Sequence, residues 1–149
     1  MSCDIHTQAE RRTEGRWEII PGLHPFDWRS YGLFGFLANV RNYAAVPPIS
    51  EPRGIPDDSP GGGDDGYLGD HSFSWLSVEE LCAFDYDQIV EDRRVTRQIA
   101  PNLHSGHCTA GPGGGRMTTY REFLGERFFE DLAKLRAAGA GRIVFGFDS

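Results

Sequence analysis

Apolar and polar residues alternate from the first positions of the chain, with Cys3, Ile5 and Thr7 set against Asp4, His6 and Gln8. A polar turn around Thr13, Glu14 and Gly15 follows, then Trp17, Glu18, Ile19 and Ile20 before Pro21 stops the run. Period two with a Gly-containing connection predicts a β-hairpin. From Ser30 onward Tyr31, Leu33, Phe34, Phe36, Leu37 and Val40 recur closely enough to give a broad apolar helical face. Gly32 and Gly35 interrupt it, each at a cost of about 1 kcal/mol relative to Ala, so a helix here implies a close neighbour at the glycines or a local irregularity.

Two further helices announce themselves by their caps. Ser77 and Glu80 form a capping box, opening a short helix with Leu81, Cys82 and Phe84 on its apolar side. Thr119 and Glu122 form a second, opening what reads as the longest helix, with Leu124, Phe128, Leu132 and Leu135 at helical spacing and Gly139 as its stop. The run Arg142 to Phe147 predicts a strand. Residues 86–99 fit a strand pair or a helix equally well. Prolines 47, 48, 52, 56 and 60 and the glycines between 61 and 69 predict a long loop over 44–70, mobile over Gly61 to Gly66, and residues 101–117 read as a second Pro- and Gly-rich loop.

These elements imply an α+β fold: a single domain over 1–149, with a small sheet holding the N-terminal hairpin and the C-terminal strand, packed by two or three helices. Pairing the terminal strands at the sheet centre would bring Asp148 toward the strand of Asp4 and His6. Length agrees, since 149 residues suit one hydrophobic core. No run approaches the ~20 apolar residues of a membrane span, and Asp4, Glu10, Arg11 and Arg12 stand where a secretory signal needs an apolar stretch. A cytoplasmic protein is expected. Three cysteines, Cys3, Cys82 and Cys108, without a CxxC pair argue against a disulfide framework, and Cys82 is expected in the core.

A net charge of −7 disfavours long nucleic acid and anionic membranes as partners. Against that acidity, 14 of the 15 basic residues are Arg, with Lys134 the exception. GC-rich coding explains such a bias simply; an anion pocket lined by guanidinium forks would also produce it. Arg121, Arg127 and Arg136 fall on the long helix as solvated surface, leaving Arg41 and Arg53 as the forks of interest.

Several polar groupings carry chemistry. Asp4 and His6 lie two apart on a strand, so both project from one face, as metal ligands or an acid/base pair, with Asp148 as a third ligand if the terminal strands pair. They equally fit the polar face of an edge strand. Asp70, His71, Ser72 and Ser74 precede the Ser77 cap, near a helix N-terminus that favours an anion; their local alternative is turn capping. His104, His107 and Cys108 form a His-x-x-His-Cys cluster able to hold zinc if a fourth ligand is found. Arg53, between Pro52 and Pro56 and followed by Asp57 and Asp58, is a ligand clamp or an internal salt bridge that holds the loop down. Arg41 and Asn42 could join the pocket or cap a helix end, and Trp75 could stack on a base or belong to the core.

Five blocks carry a resemblance: Met1 to His6, Leu33 to Asn42, Ile49 to Asp58, His71 to Leu76 and Arg142 to Asp148. Together they resemble small bacteriophage and prophage proteins that begin Met-Gly-Cys-Asp-Ile-His, contain His-Ser-His-Ser-Trp-Leu and end near Val-Phe-Trp-Phe-Asp-Asn. The chain departs from that pattern with Ser2 for Gly, Phe73 for the second His and Gly146 for Trp. The resemblance implies a phage origin, hence the cytoplasm of an infected cell, and no particular activity.

Three functions fit. The first is a hydrolase of phosphoesterase type acting on a phosphate-containing small molecule, such as a nucleotide or cyclic-nucleotide immune signal. In it Asp4, His6 and His71 do the chemistry, a divalent metal ion is the expected cofactor, and Arg41 or Arg53 holds phosphate. The second is a non-catalytic sponge that sequesters a nucleotide, as an oligomer. The third is an acidic inhibitor of a host protein, acting through Asp57, Asp58, Asp64, Asp65 and Asp70.

Overall fold

The two ends of the chain pair with each other. In the computed structural model β1 (Asp4–Thr13) and β8 (Arg142–Asp148) run antiparallel, with Asp4 opposite Asp148 and Glu10 opposite Arg142. The model describes residues 2–61 and 67–149, apart from the side chains of 96, 97, 99 and 103–106. The fold is α+β, and every strand pair is antiparallel. By contacts the chain divides into two compact units: 1–29, 51–84 and 126–149 form the first, and 30–50 with 85–125 the second.

The first unit is built on a four-stranded sheet of order β2-β1-β8-β3, completed by β2 (Arg16–Ile19) and β3 (His71–Ser77). The terminal strands are therefore central, as expected. The hairpin β1–β2 turns over Glu14 and Gly15, both at positive φ, as a two-residue hairpin turn requires. Strand alternation sorts the residues onto two faces. Cys3, Ile5, Thr7 and Ala9, with Ile143, Phe145 and Phe147 opposite, are all buried on one face. Asp4, His6, Gln8 and Glu10 occupy the other, and exposure falls along it from half-buried Asp4 and His6 to 0% at Glu10.

Helix α2 (Val78–Ala83) starts at the predicted capping box, with both reciprocal bonds of Ser77 and Glu80 formed. Its buried side chains are Val78 and Leu81. Cys82 is exposed rather than in the core, because a six-residue helix buries one narrow stripe and Cys82 lies off it. Helix α4 (Glu126–Ala137) buries Phe128, Leu132 and Leu135 and ends in a Schellman motif, with Gly139 N–H donating to Arg136 and Ala140 N–H to Leu135.

The long helix expected after Thr119 is two. Thr119 caps α3 (Tyr120–Leu124), and Gly125, at φ 82° and ψ 172°, ends it. That backbone conformation is essentially open to glycine alone, so the helical phase restarts at Glu126. Leu124 thus belongs to the second unit and Phe128 to the first.

The second unit contains α1 (Tyr31–Ala38), β4 (Ile89–Asp92), β5 (Arg94–Ala100), β6 (Leu103–Thr109), β7 (Arg116–Thr119) and α3. Ser30 caps α1, and Asn39 closes it in the left-handed region. Gly35 marks the close neighbour its presence implied: a Cβ there would lie 2.5 Å from Asn42 Oδ1. Residues 86–99 resolve as β4 and β5. Residues 101–117 are not one loop, because β6 and β7 lie within them. Pro101 and Asn102, the latter at φ 64°, form a tight turn that returns β6 along β5, so Pro and Gly punctuate strands here. In the 44–70 segment no helix or strand forms among the described residues; Gly62 to Gly66, with Asp64 and Asp65, lie outside them.

Candidate functional site

Strand β1 has ten residues and β2 four, so β2 covers β1 only from Glu10 to Thr13. Pro21 then turns the chain away, and the edge of β1 from Asp4 to Ala9 is left without a strand neighbour. Residues 20–29 run beside it instead and satisfy it by single contacts: Ile20 N–H donates to Ala9 O, His24 Nδ1–H donates to Thr7 O at 2.7 Å, and Arg29 reaches Asp4. Along this edge lies a cleft of about 310 Å³, lined by Asp4, Ile5, His6, Thr7, His24, Asp27 and Tyr67.

The main chemical feature there is His6. Its Nε2 lies 2.5 Å from Asp148 Oδ2, the expected encounter of the terminal strands, with both side chains about one-third exposed. The ring meets Tyr67 edge-on at 4.8 Å. Tyr67 donates to Asp70 Oδ1, and desolvation followed by that bond holds its hydroxyl protonated above the usual phenol range. Asp4 makes a bidentate pair with Arg29 at 2.8 and 2.9 Å, which holds its carboxyl below the usual range.

The expected divalent metal does not fit these residues. Both oxygens of Asp4 face Arg29, and Nε2 of His6 faces Asp148. Among the described residues no group of three or more His, Cys, Asp or Glu side chains is set to hold a metal ion. In the His-x-x-His-Cys cluster, His107 and Cys108 are neighbours on β6 and so point to opposite faces. His107 stacks on Tyr43 at 5.0 Å and 10°, Cys108 is half-buried opposite Val95, and the side chain of His104 lies outside the described residues.

His71 does not join His6. It sits opposite Phe147, which is opposite Ile5, and so shares the core-side face while His6 occupies the other. Its ring nitrogens meet Ser72 Oγ and Ser149 Oγ, both at 2.9 Å. Nor do Asp70 to Ser74 crowd a helix N-terminus, because β3 carries them away from the Ser77 cap; the three regular strand steps from Ser74 to Ser77 alone span about 10 Å.

The Arg53 alternative resolves as the internal one. Its guanidinium forks onto Glu80 at 2.6 and 2.8 Å and stacks over Trp75 at 4.8 Å, while its backbone N–H donates to buried Ser74 Oγ. Ser74 and Trp75 thus hold down the proline loop. Arg41 lies over the Tyr31 ring at 5.6 Å, and Asn42 ties the turn after α1 by bonds with Asn39 and Val46; both belong to the second unit.

Pairing register exposes a cluster that local patterns could not show. Glu10, fully buried, accepts from Arg142 Nε and Gln8 Nε2, both at 2.7 Å, and from Ser59 Oγ at 2.6 Å. Trp17 covers the Arg142 guanidinium at 3.9 Å, and Asp58 Oδ1 lies 3.0 Å from its Nη2. Asp58 is therefore a loop anchor, and Asp57 an exposed turn residue beside it. The departures at 73 and 146 also meet: a Cβ on Gly146 would lie 2.7 Å from the Phe73 ring and 2.1 Å from Leu68 O, so Phe73 and the loop fill the space a Trp would need.

A second cleft, of about 650 Å³, shares His24 and Asp27 and is otherwise walled by Glu126, Arg127, Glu130, Asp131 and Lys134 with the 22–25 backbone. It is the larger of the two. Compared with known proteins, the chain matches no family model, no curated protein and no solved structure.

Proposed function

We propose that the chain is a small hydrolase of phosphate-containing molecules whose reacting centre is His6, oriented by Asp148, in the cleft along the open edge of β1. The observation that carries this reading is the 2.5 Å His6–Asp148 pair, of which His6 lines a cleft of about 310 Å³. A carboxylate on one ring nitrogen fixes the orientation of the imidazole and leaves the other nitrogen to exchange protons, the arrangement general acid–base catalysis needs. Arg29 replaces Arg41 and Arg53 as the cation of this site, since it is the guanidinium tied to Asp4.

Electrostatics selects among phosphates. Asp4, Asp27 and Asp148 set three negative charges against Arg29, so a phosphodiester with one charge is admitted more readily than a monoester with two. The blocks shared with phage proteins supply the setting: a nucleotide diester, cyclic or linear, in the cytoplasm of an infected cell. The sequestering reading loses support, because Arg53 and Trp75 are spent on each other and on Glu80.

Turnover of a panel of cyclic and linear dinucleotides by the purified protein tests the proposal. We expect hydrolysis that His6→Ala reduces by at least 100-fold, consistent with the usual weight of a positioned acid–base group. Equal turnover by His6→Ala would sink it.

A further inference from the structure

Thr7 breaks the rule of its own face. It is 4% exposed, in line with Cys3, Ile5 and Ala9 and opposite Phe145, yet its hydroxyl meets no hydrogen-bond partner among the described residues. A hydroxyl buried without a partner is costly, and valine, of the same shape, would suit both the strand and the apolar face. A local rule broken without compensation points to function. Thr7 also lines the cleft that holds His6.

The main chain of Thr7 turns to the same edge. In an antiparallel strand the N–H and C=O of one residue point the same way, and successive residues alternate. Glu10 O accepts from Gly141 N–H on the β8 side, whereas Ala9 O accepts from Ile20 N–H and Thr7 O from His24 on the other. Odd-numbered residues of β1 therefore aim their polar groups at the open edge. The Thr7 N–H goes with them, and no strand of the sheet supplies an acceptor there, because β2 pairs only from Glu10 onward.

We propose that Thr7 is the phosphoryl-binding residue of the His6 cleft, its hydroxyl and main-chain N–H both donating to non-bridging oxygens of a phosphodiester. The inference rests on the hydrolase reading above and deepens it. Hydrogen bonds to a charged oxygen are about twice as strong as neutral ones, so a hydroxyl that is a liability in the ligand-free protein becomes a contact in the complex. Both donors are neutral and add to Arg29, which divides its guanidinium with Asp4. His6 is the preceding residue and lines the same cleft, so a phosphoryl group held by Thr7 lies one residue from the imidazole. In the sequence Thr7 counts only as an apolar position of the alternation, and nothing local shows that its hydroxyl is left over.

Thr7→Val and Thr7→Ser test this, with bis(p-nitrophenyl) phosphate as the turnover probe and dimethyl phosphate, an unreactive diester, as the binding probe in a phosphorus NMR titration. Thr7→Val is expected to raise KM and the dimethyl phosphate Kd about tenfold, with kcat changed less than about threefold. Its thermal midpoint is expected to rise by about 2–4 °C, because the unpartnered hydroxyl is gone. Thr7→Ser keeps the hydroxyl and is expected to hold KM within about threefold of the wild type. A merely structural Thr7 would move stability and leave KM alone. If the wild type turns over its probe and Thr7→Val matches its KM, the Thr7 assignment fails and the hydrolase reading stands. If the wild type binds dimethyl phosphate without turning over the other diester, the hydrolase reading fails; weaker binding by Thr7→Val then upholds the Thr7 site, and equal binding overturns it. If the wild type neither turns over the one nor binds the other, both fail. An equal rise in KM with Thr7→Ser would make the loss one of shape, and a lower thermal midpoint with Thr7→Val would give the hydroxyl a structural partner; either overturns the assignment.

Discussion

Strands β1 and β8 pair a carboxylate with a basic side chain at each end, and the two pairs have opposite characters. At one end Glu10 and Arg142 are 0% and 6% exposed, roofed by Trp17 and bonded to Gln8 and Ser59. At the other, His6 and Asp148 are 31% and 32% exposed, and His6 lines a cleft. The strands, register and face are shared. What differs is the cover: β2 and the 58–59 loop close over Glu10 and Arg142, whereas β2 has already ended where His6 begins. A buried pair must be fully partnered, because desolvation of each ion costs several kcal/mol, and it therefore serves as a lock. A half-exposed pair contributes little to stability and keeps a nitrogen available for chemistry.

Breaking the lock tests this contrast most severely. Arg142→Met leaves Glu10 charged and buried without its cation, and a loss of about 3–5 kcal/mol is expected in urea unfolding. A loss below about 1 kcal/mol would mean that the two ends do not differ as described. Between the extremes stands Arg53–Glu80, each partner about 30% exposed and stacked on Trp75. Arg53→Met is expected to cost about 1 kcal/mol at neutral pH, and Arg53→Lys, which keeps charge but loses the fork, somewhat less. The hydrogen bond from Arg53 holds the Glu80 carboxyl below its ordinary value of 4.5, so the folded state prefers the ionised form. This contribution is complete above the unfolded-state value and drains away as pH falls through the lower folded one. Wild type and Arg53→Met are thus expected to converge in stability as pH falls from above 4.5 through the lower folded value, read from urea midpoints at stepped pH; a constant gap would refute the ion pair as its source. At the weak end, His6→Ala is expected to change stability by less than about 1 kcal/mol while removing turnover. A large drop in stability would make His6 a second lock.

Much of the fold was legible because local signals carried it. The Ser77–Glu80 box, the apolar helical spacing from Tyr31 to Leu37 and the period-two pattern of residues 3–8 act within a few residues of themselves, and the structure contains all three. The errors have equally local causes. Gly125 interrupts a run whose apolar spacing continues across it, so one helix became two in different units. The Pro and Gly of 101–117 were weighted over the strand between them, and His71 was assigned to a helix N-terminus because the strand β3 that separates it from Ser77 went unnoticed. Two of the polar residues singled out hold the fold: Asn42 fills the space beside Gly35, and Arg53 holds the loop to Glu80.

Sequence alone therefore determined the N-terminal hairpin, the C-terminal strand, the starts of the helices, the central pairing of the chain ends and, through that pairing, the meeting of His6 with Asp148. Tertiary structure decided the rest. The partnership of Glu10 with Arg142 follows from register, the place of His24 from where β2 stops, and the allegiance of Arg53 from which loop lies over Trp75. Periodicity and caps are written in neighbouring residues, whereas these contacts join positions 17 to 132 residues apart. Their geometry exists only once the sheet has closed and the loops have been laid across it.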